Sequence, residues 1–314
     1  LNSSQTQSQL NQEYRGTSVP AEGSFSRQGN YCDFCDLHVH TTASDGHLTP
    51  KEVVQHSLEL GLRAISICDH DTMAGYLELT EEFSQDKLGV VNVNGLELIP
   101  GIEINSRWEQ SELHILGYFI DPGDGSFLNL LSQLRRSRVE RVQVTVEKLA
   151  SLGKPVELSR VLELSQGDSV GRPHIAQAMV EKGYVSTVRE AFELYLGIGK
   201  PAYVDRRHLS PAQSIRAIRE AKGIAVWAHP GITNADWLLT ELMEYGLQGI
   251  EVFHPEHDIG SQQKYLHMAR ENRLVVTGGS DFHSATSSEG AMIGSYGISY
   301  DGVQALKRMA SAVR

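Results

Sequence analysis

DLHVHTTASDG, Asp36 to Gly46, followed by Thr49-Pro50-Lys51-Glu52, decides how this chain of 314 residues is read. Its first half alternates apolar Leu37 and Val39 with His38 and His40. Residues two apart on a strand face the same side, so both imidazoles can reach one ion. Its second half is a small polar turn that carries Asp45. The Thr-Pro-Lys-Glu run sets a capping hydroxyl, a proline at the first helical position and a reciprocal Glu in register, with Gly61 as the stop. A strand feeding a capped helix in this way is the repeating unit of an α/β protein.

Outward from this stretch the rhythm repeats. Strands are expected near 34–38, 63–68, 96–103, 112–118, 224–228, 248–253 and 273–278, and Ser210-Pro211-Ala212-Gln213 repeats the helix cap, with Gly223 as its stop. Seven strands with mostly helical connections favour a closed, distorted (β/α)7 barrel over an open sheet. Residues 126–207 break the rhythm with helical periodicity and no strand, which divides the chain into barrel segments at 32–125 and 208–314 around an inserted helical subdomain. Residues 1–31, rich in Ser, Gln and Asn, are expected to stay disordered.

Composition excludes several classes. Mean hydropathy is −0.27 and no apolar run approaches the roughly 18 residues of a membrane span, so no membrane partner is expected. Cys32, Cys35 and Cys68 form no disulfide framework, Cys32 and Cys35 have no second C-x-x-C to pair with, and a reducing, cytoplasmic setting is expected. A net charge of −11 argues against a general nucleic-acid binder. The balance is uneven: 126–207 holds 13 Lys and Arg against 9 Asp and Glu, or +4, which leaves −15 elsewhere. A positive cap over an acidic body suits an anionic substrate whose charge the body handles by holding cations.

The acidic body supplies the ligands. Beyond His38, His40 and Asp45, His70 follows the strand AISIC, Glu103 ends ELIPGIE, His114 lies in the next strand, His229 closes IAVWA, and Asp281 and His283 follow LVVTGG. On a barrel most of these sit near the C-terminal ends of strands, the face where barrel enzymes place their sites. Nine N/O ligands without a thiolate are too many for one ion and suit two or three divalent cations such as Mn, Fe or Zn. Asp36, Asp69 and Asp71 flank these positions as candidates to orient a histidine ring, with Asp71 also an N-cap candidate. His47, His56 and His267 read as ordinary turn or helix histidines. Arg135, Arg136, Arg138 and Arg141, at helical spacing, read as a solvated face. Gly278-Gly279 reads as a place where backbone passes close to the metals.

Taken in order, DLHVHTTASDG, ISICDHDT, GIEIN, HILGY, WAHPG and GGSDFH resemble the PHP family of metal-dependent phosphoesterases over residues 34–300. The insertion with Ser169-Val170-Gly171-Arg172-Pro173-His174 resembles the branch that contains nucleotide phosphatases and a 5′-to-3′ RNA exonuclease. The resemblance implies a distorted seven-stranded barrel with a trinuclear centre. It implies a first metal on His38, His40, Glu103 and Asp281, a second on Glu103, His114 and His229, and a third on Asp45, His70 and His283. Many relatives outside the branch place a histidine near Asp45, so the carboxylate departs from their pattern.

The expected activity is hydrolysis of a terminal phosphate monoester of a nucleotide by a metal-activated hydroxide, with a nucleoside 3′,5′-bisphosphate or a mononucleotide as substrate. Glu103, Asp281 and His229 are the catalytic candidates. Arg172 and His174 in the positive insertion, and His254 and His257 after the strand GIEVF, are the candidates for substrate contact. The nearest alternative is a 5′-to-3′ exonuclease on short RNA or DNA. A non-catalytic metal-binding regulatory module is a third, disfavoured because all nine ligand positions are filled.

Overall fold

The first part of the chain is built on strands whose residues are mostly buried. β1 (Phe34–Val39) and β2 (Ala64–Ile67) flank α1 (Pro50–Glu59), and α2 (Ala74–Thr80) leads to β3 (Val91–Val93), β4 (Leu96–Trp108) and β5 (Ser111–Tyr118). The computed structural model describes residues 33–314 apart from 110, 166–168, 206–207 and 285–290. The expected tail and Cys32 therefore lie outside the described residues.

The middle of the chain is helical: α3 (Gly125–Ser151), α4 (Leu158–Ser165), α5 (Arg172–Glu181) and α6 (Val188–Ala191), with a π-helical turn at Phe192–Leu196. The remainder runs α7 (Pro211–Glu220), β6 (Ile224–Trp227), α8 (Pro230–Thr233), α9 (Leu239–Glu244), β7 (Gly249–Phe253), α10 (Ile259–Glu271), β8 (Val275–Gly278), β9 (Ile298–Ser299) and α11 (Tyr300–Val313). Both expected capping boxes form, Thr49 with Glu52 and Ser210 with Gln213. The stop of α7 differs: Lys222, at φ 62°, takes the left-handed position one residue ahead of Gly223.

The strands run β8-β7-β6-β5-β4-β2-β1-β9, with β3 on β4, and the sheet nearly closes where Val39 bridges Phe282 just past β8. This is the distorted α/β barrel expected. The connections depart from expectation between β4 and β5, which form an antiparallel hairpin, and β5 also pairs antiparallel with β6. β4 runs on to Trp108, so Glu103 stands in mid-strand rather than at its end. Because β5 runs backwards, its first half lies beside the far half of β4, with His114 opposite Asn105. An antiparallel strand thus presents its start at the rim where parallel strands present their ends.

α3 ties two cores together. Asp124 caps it by accepting from Phe127 N at 2.8 Å. Phe127, Leu131 and Leu134 in its first half pack in the barrel core, whereas Val142 and Leu149 join a separate cluster with Val161, Ile175 and Met179. Arg138 and Arg141 fall at this junction and are 5% and 6% exposed, which overturns their reading as a solvated face. Among the described residues no helix is long and apolar enough to cross a membrane.

Candidate metal centre

β1 carries His38 one residue before its end and delivers His40 one residue past it, and the two Nε2 atoms lie 3.2 Å apart. Behind them the backbone after β8 passes so close that a Cβ on Gly279 would stand 2.3 Å from the His38 backbone nitrogen. Only glycine fits there, though the approach is to His38 rather than to a metal position. His229 (φ 27°) and Asp281 (φ 50°) adopt left-handed backbone that non-glycine residues rarely take and that recurs at functional sites.

Glu103, 1% exposed, is the centre of the cluster. Its Oε2 lies 2.9 Å from His70 Nδ1, 3.2 Å from His40 Nε2 and 3.4 Å from His38 Nε2. Its Oε1 lies 2.7 Å from His114 Nδ1 and 3.0 Å from His229 Nε2. One carboxylate therefore faces two sets of histidines with two different oxygens. Asp281 Oδ1 stands 3.1 Å from His40 Nε2 and 3.3 Å from His38 Nε2, and Asp45 Oδ1 stands 3.4 Å from His283 Nε2.

All nine residues expected as ligands converge. Potential donor atoms lie within 4.8 Å of one another in three groups: His38, His40, Glu103 and Asp281; His40, Asp45, His70 and His283; and His70, Glu103 and His114. The first group has the expected membership. His40 is added to the group around Asp45, and His70 stands where His229 was expected, while His229 meets the cluster through Glu103 Oε1.

The donor set fits divalent cations on a local test. Asp45 Oδ1, Glu103 Oε2, Asp281 Oδ1, His70 Nδ1 and His229 Nδ1 are all buried and make no hydrogen bond of good geometry, the close approaches above being poorly aligned. Buried polar atoms are ordinarily paired, and four of these five belong to the three groups above. Electrostatics agree. Burial would raise the carboxyl pKa of Glu103, but His114, His70 and His38 hold it well below the usual range, and the histidines around Asp45 and Asp281 do the same there. Burial pushes His70 and His229 down towards the neutral form that ligates metals, whereas the carboxylates beside them raise His38, His40, His114 and His283, a charge that bound cations would replace.

Neighbouring groups fix the rings. His283 Nδ1 donates to Asp281 O at 2.8 Å, which leaves Nε2 bare towards Asp45. His254 accepts Glu256 N on Nδ1 and turns Nε2 to Asp281 Oδ2 at 3.3 Å, so it supports a carboxylate of the cluster. His257 departs from the expected substrate contact, because both ring nitrogens are taken, one by Val252 O and the other by Gly231 N. His174, 8% exposed, accepts Gly171 N and secures the start of α5.

None of the three flanking aspartates touches a histidine ring. Asp36 binds Ser280 and Gly294 N, Asp69 binds Thr41 and Ser44, and Asp71 binds Arg138 rather than capping α2. A carboxylate outside the nine that does reach one of their rings is Glu251, 3.0 Å from His38 Nδ1. The only sign of it in the sequence is an acidic residue within the apolar run GIEVF. Asn105, whose Nδ2 lies 2.8 Å from His114 Nε2, also escaped the sequence reading.

Beside the cluster lies a cavity of about 130 Å³. Asp45, His70 and His114 form one wall, and Arg138, Arg141 and Arg172 line it together with Phe192 and His208. Arg172 Nη2 donates to both carboxylate oxygens of Glu112 at 2.8 and 3.1 Å, and its guanidinium lies over the rings of Phe192 and Tyr203.

Comparison with known proteins gives this arrangement a family. Over 259 residues the chain is 36% identical to the 5′-3′ exoribonuclease Rnm of Escherichia coli (strain K12), spanning 81% of this chain and 86% of that protein. It is 30% identical over 255 residues to the 3′,5′-nucleoside bisphosphate phosphatase of Chromobacterium violaceum, spanning 79% and 87%. A crystal structure from Bifidobacterium adolescentis, assigned as a metal-dependent phosphoesterase, superposes with a TM-score of 0.76 at 30% identity and covers 88% of this chain and 96% of that one. The family model for the PHP domain matches residues 36–202, and the chain belongs to the PHP family of metal-dependent phosphoesterases.

Proposed function

We propose that this phosphoesterase removes a terminal phosphate from a nucleotide, with a nucleoside 3′,5′-bisphosphate as the preferred substrate and two to three divalent ions in the cluster. The observation that carries the reading is the cavity, in which arginines and an aromatic ring line a space that opens onto Asp45, His70 and His114. Such walls suit a second phosphate and a base held beside the reacting phosphate.

His38, His40, Glu103 and Asp281 would hold one ion, Glu103 and His114 with His229 or His70 a second, and Asp45, His70 and His283 a third. Bound ions of this kind neutralise phosphoryl charge and lower the pKa of water. The chain's own residues do the rest. Glu103 sets the spacing of the groups on its two sides, His254 keeps Asp281 ionised and aimed, and Arg172 orients the substrate. Addition of Mn at about a hundredfold its Kd is expected to stabilise the fold by about 2.7 kcal/mol. Calorimetric scans with and without Mn check this, and an unmoved Tm would count against any resident ion.

The test of substrate is phosphate release with Mn across nucleoside 3′,5′-bisphosphates, mononucleotides and 5′-phosphorylated oligonucleotides. The bisphosphates should show the highest kcat/KM. The second reading, stepwise 5′-to-3′ shortening of RNA, draws support from the similarity to the Escherichia coli exoribonuclease and predicts the opposite order. Within the first reading, Arg172→Ala should cost a bisphosphate about one to two orders of magnitude in kcat/KM, because charge-assisted bonds are worth roughly 1.5–3 kcal/mol. A small monoester should lose far less. Equal losses on both would assign Arg172 to the fold, through Glu112, rather than to the second phosphate.

A further inference from the structure

All five residues of β7 are buried, and the middle one is a carboxylate, Glu251, between Ile250 and Val252. A fully buried carboxylate is costly unless its oxygens are engaged, and both of these are. Oε1 lies 3.0 Å from His38 Nδ1, and Oε2 accepts the His229 backbone N–H at 2.9 Å. An ionised carboxylate only accepts hydrogen bonds, so in the neutral imidazole that a metal requires the His38 proton belongs on Nδ1. That leaves the lone pair on Nε2, the nitrogen that faces His40 Nε2 at 3.2 Å, Asp281 Oδ1 at 3.3 Å and Glu103 Oε2 at 3.4 Å.

The second bond acts on a different part of the cluster. His229 follows β6 with φ 27° and ψ 59°, a conformation that a bulky side chain resists. Its N–H is held by Glu251, and its Nε2 meets Glu103 Oε1 at 3.0 Å. One buried side chain thus sets the ring form of a residue at the end of β1 and the backbone of a residue past β6.

We infer that Glu251 is a positioning residue, which keeps His38 in its ligating tautomer and His229 in place while touching neither ion nor substrate. The inference rests on the reading above that the cluster holds ions. Glu251→Gln tests it with little change of volume. An amide offers one oxygen and one NH2 group, so it cannot accept from both donors. Either the His38 proton moves to Nε2, facing the cluster, or the His229 N–H loses its acceptor.

Mn binding by equilibrium dialysis with elemental analysis should weaken by about 10- to 100-fold in Glu251→Gln, the range for partners that orient metal ligands. Long-range ¹H–¹⁵N spectra of zinc-loaded, ¹⁵N-histidine protein should show the His38 ring proton on Nδ1 in the wild type and lost from Nδ1 in the variant, with the signal assigned through His38→Gln. Glu251→Asp keeps the charge but draws the oxygens back by one methylene. Positioning predicts about tenfold weaker Mn binding there too, whereas a purely electrostatic role predicts wild-type affinity. Wild-type Mn affinity in folded Glu251→Gln, or a lower Tm of metal-free protein with affinity unchanged, overturns the inference. A wild type that binds no Mn overturns the proposed function itself.

Discussion

Replacing Glu103 by Gln is expected to lower kcat for phosphate release by about three orders of magnitude, the equivalent of roughly 4 kcal/mol, which is the scale of charge stabilisation supplied by metal centres. The substitution keeps the volume of a side chain that is 1% exposed, so repacking does not account for the loss. What changes is the charge and the symmetry. Glu103 turns Oε1 to His114 and His229 and Oε2 to His70, His40 and His38. An amide presents an acceptor to only one of these sides and an NH2 group to the other, so under the two-ion reading proposed above one side would lose its anionic donor. The measurement pairs kcat in saturating Mn with metal content per chain. Wild-type turnover at unchanged metal content would remove Glu103 from the bridging role.

Much of this site was legible because its signals are local. The alternation in Leu37-His38-Val39-His40 fixes two rings on one side of a strand, and caps such as Thr49 to Glu52 fix where helices begin. What escaped depends on the far side of the fold. Glu251 sits within an apolar strand and gives no periodic signal, since its partners are 213 and 22 residues away. His257 lies at the correct rim, yet its ring is consumed by Val252 O and Gly231 N, and no sequence pattern reports that. The hairpin of β4 and β5 is an exception to mostly helical connections because β4 keeps pairing past Glu103, beyond the strand end expected near 103. Helical spacing placed Arg138 and Arg141 on one stripe of α3 but could not show that a 27-residue helix spans two cores and buries that stripe at their junction.

Arg138 carries the second large prediction, on stability. Its Nε and Nη2 donate to Asp71 Oδ2 at 2.8 and 2.6 Å, and Nη2 also donates to Asn105 Oδ1. Asp71 is fully buried at φ 55°, and its other oxygen accepts Asn105 N at 3.1 Å. Asn105 in turn places Nδ2 2.8 Å from His114 Nε2, so α3 is wired to the cluster through two side chains. Arg138→Ala would remove the guanidinium that donates twice to a buried carboxylate, a defect that costs about 3–5 kcal/mol. At roughly 1.5 °C per kcal/mol for a chain of 314 residues, Tm should fall by about 5–8 °C in a calorimetric scan. The double variant Asp71→Asn with Arg138→Met removes both charges and should recover much of the loss, because breaking one half of a buried ion pair costs more than replacing both of its charges. A single variant within about 2 °C of wild type would mean that water reaches Asp71 and that the junction between α3 and the barrel is looser than its burial implies. Equal losses in the single and double variants would assign the stabilisation to packing of the Arg138 stem against α3 and β4.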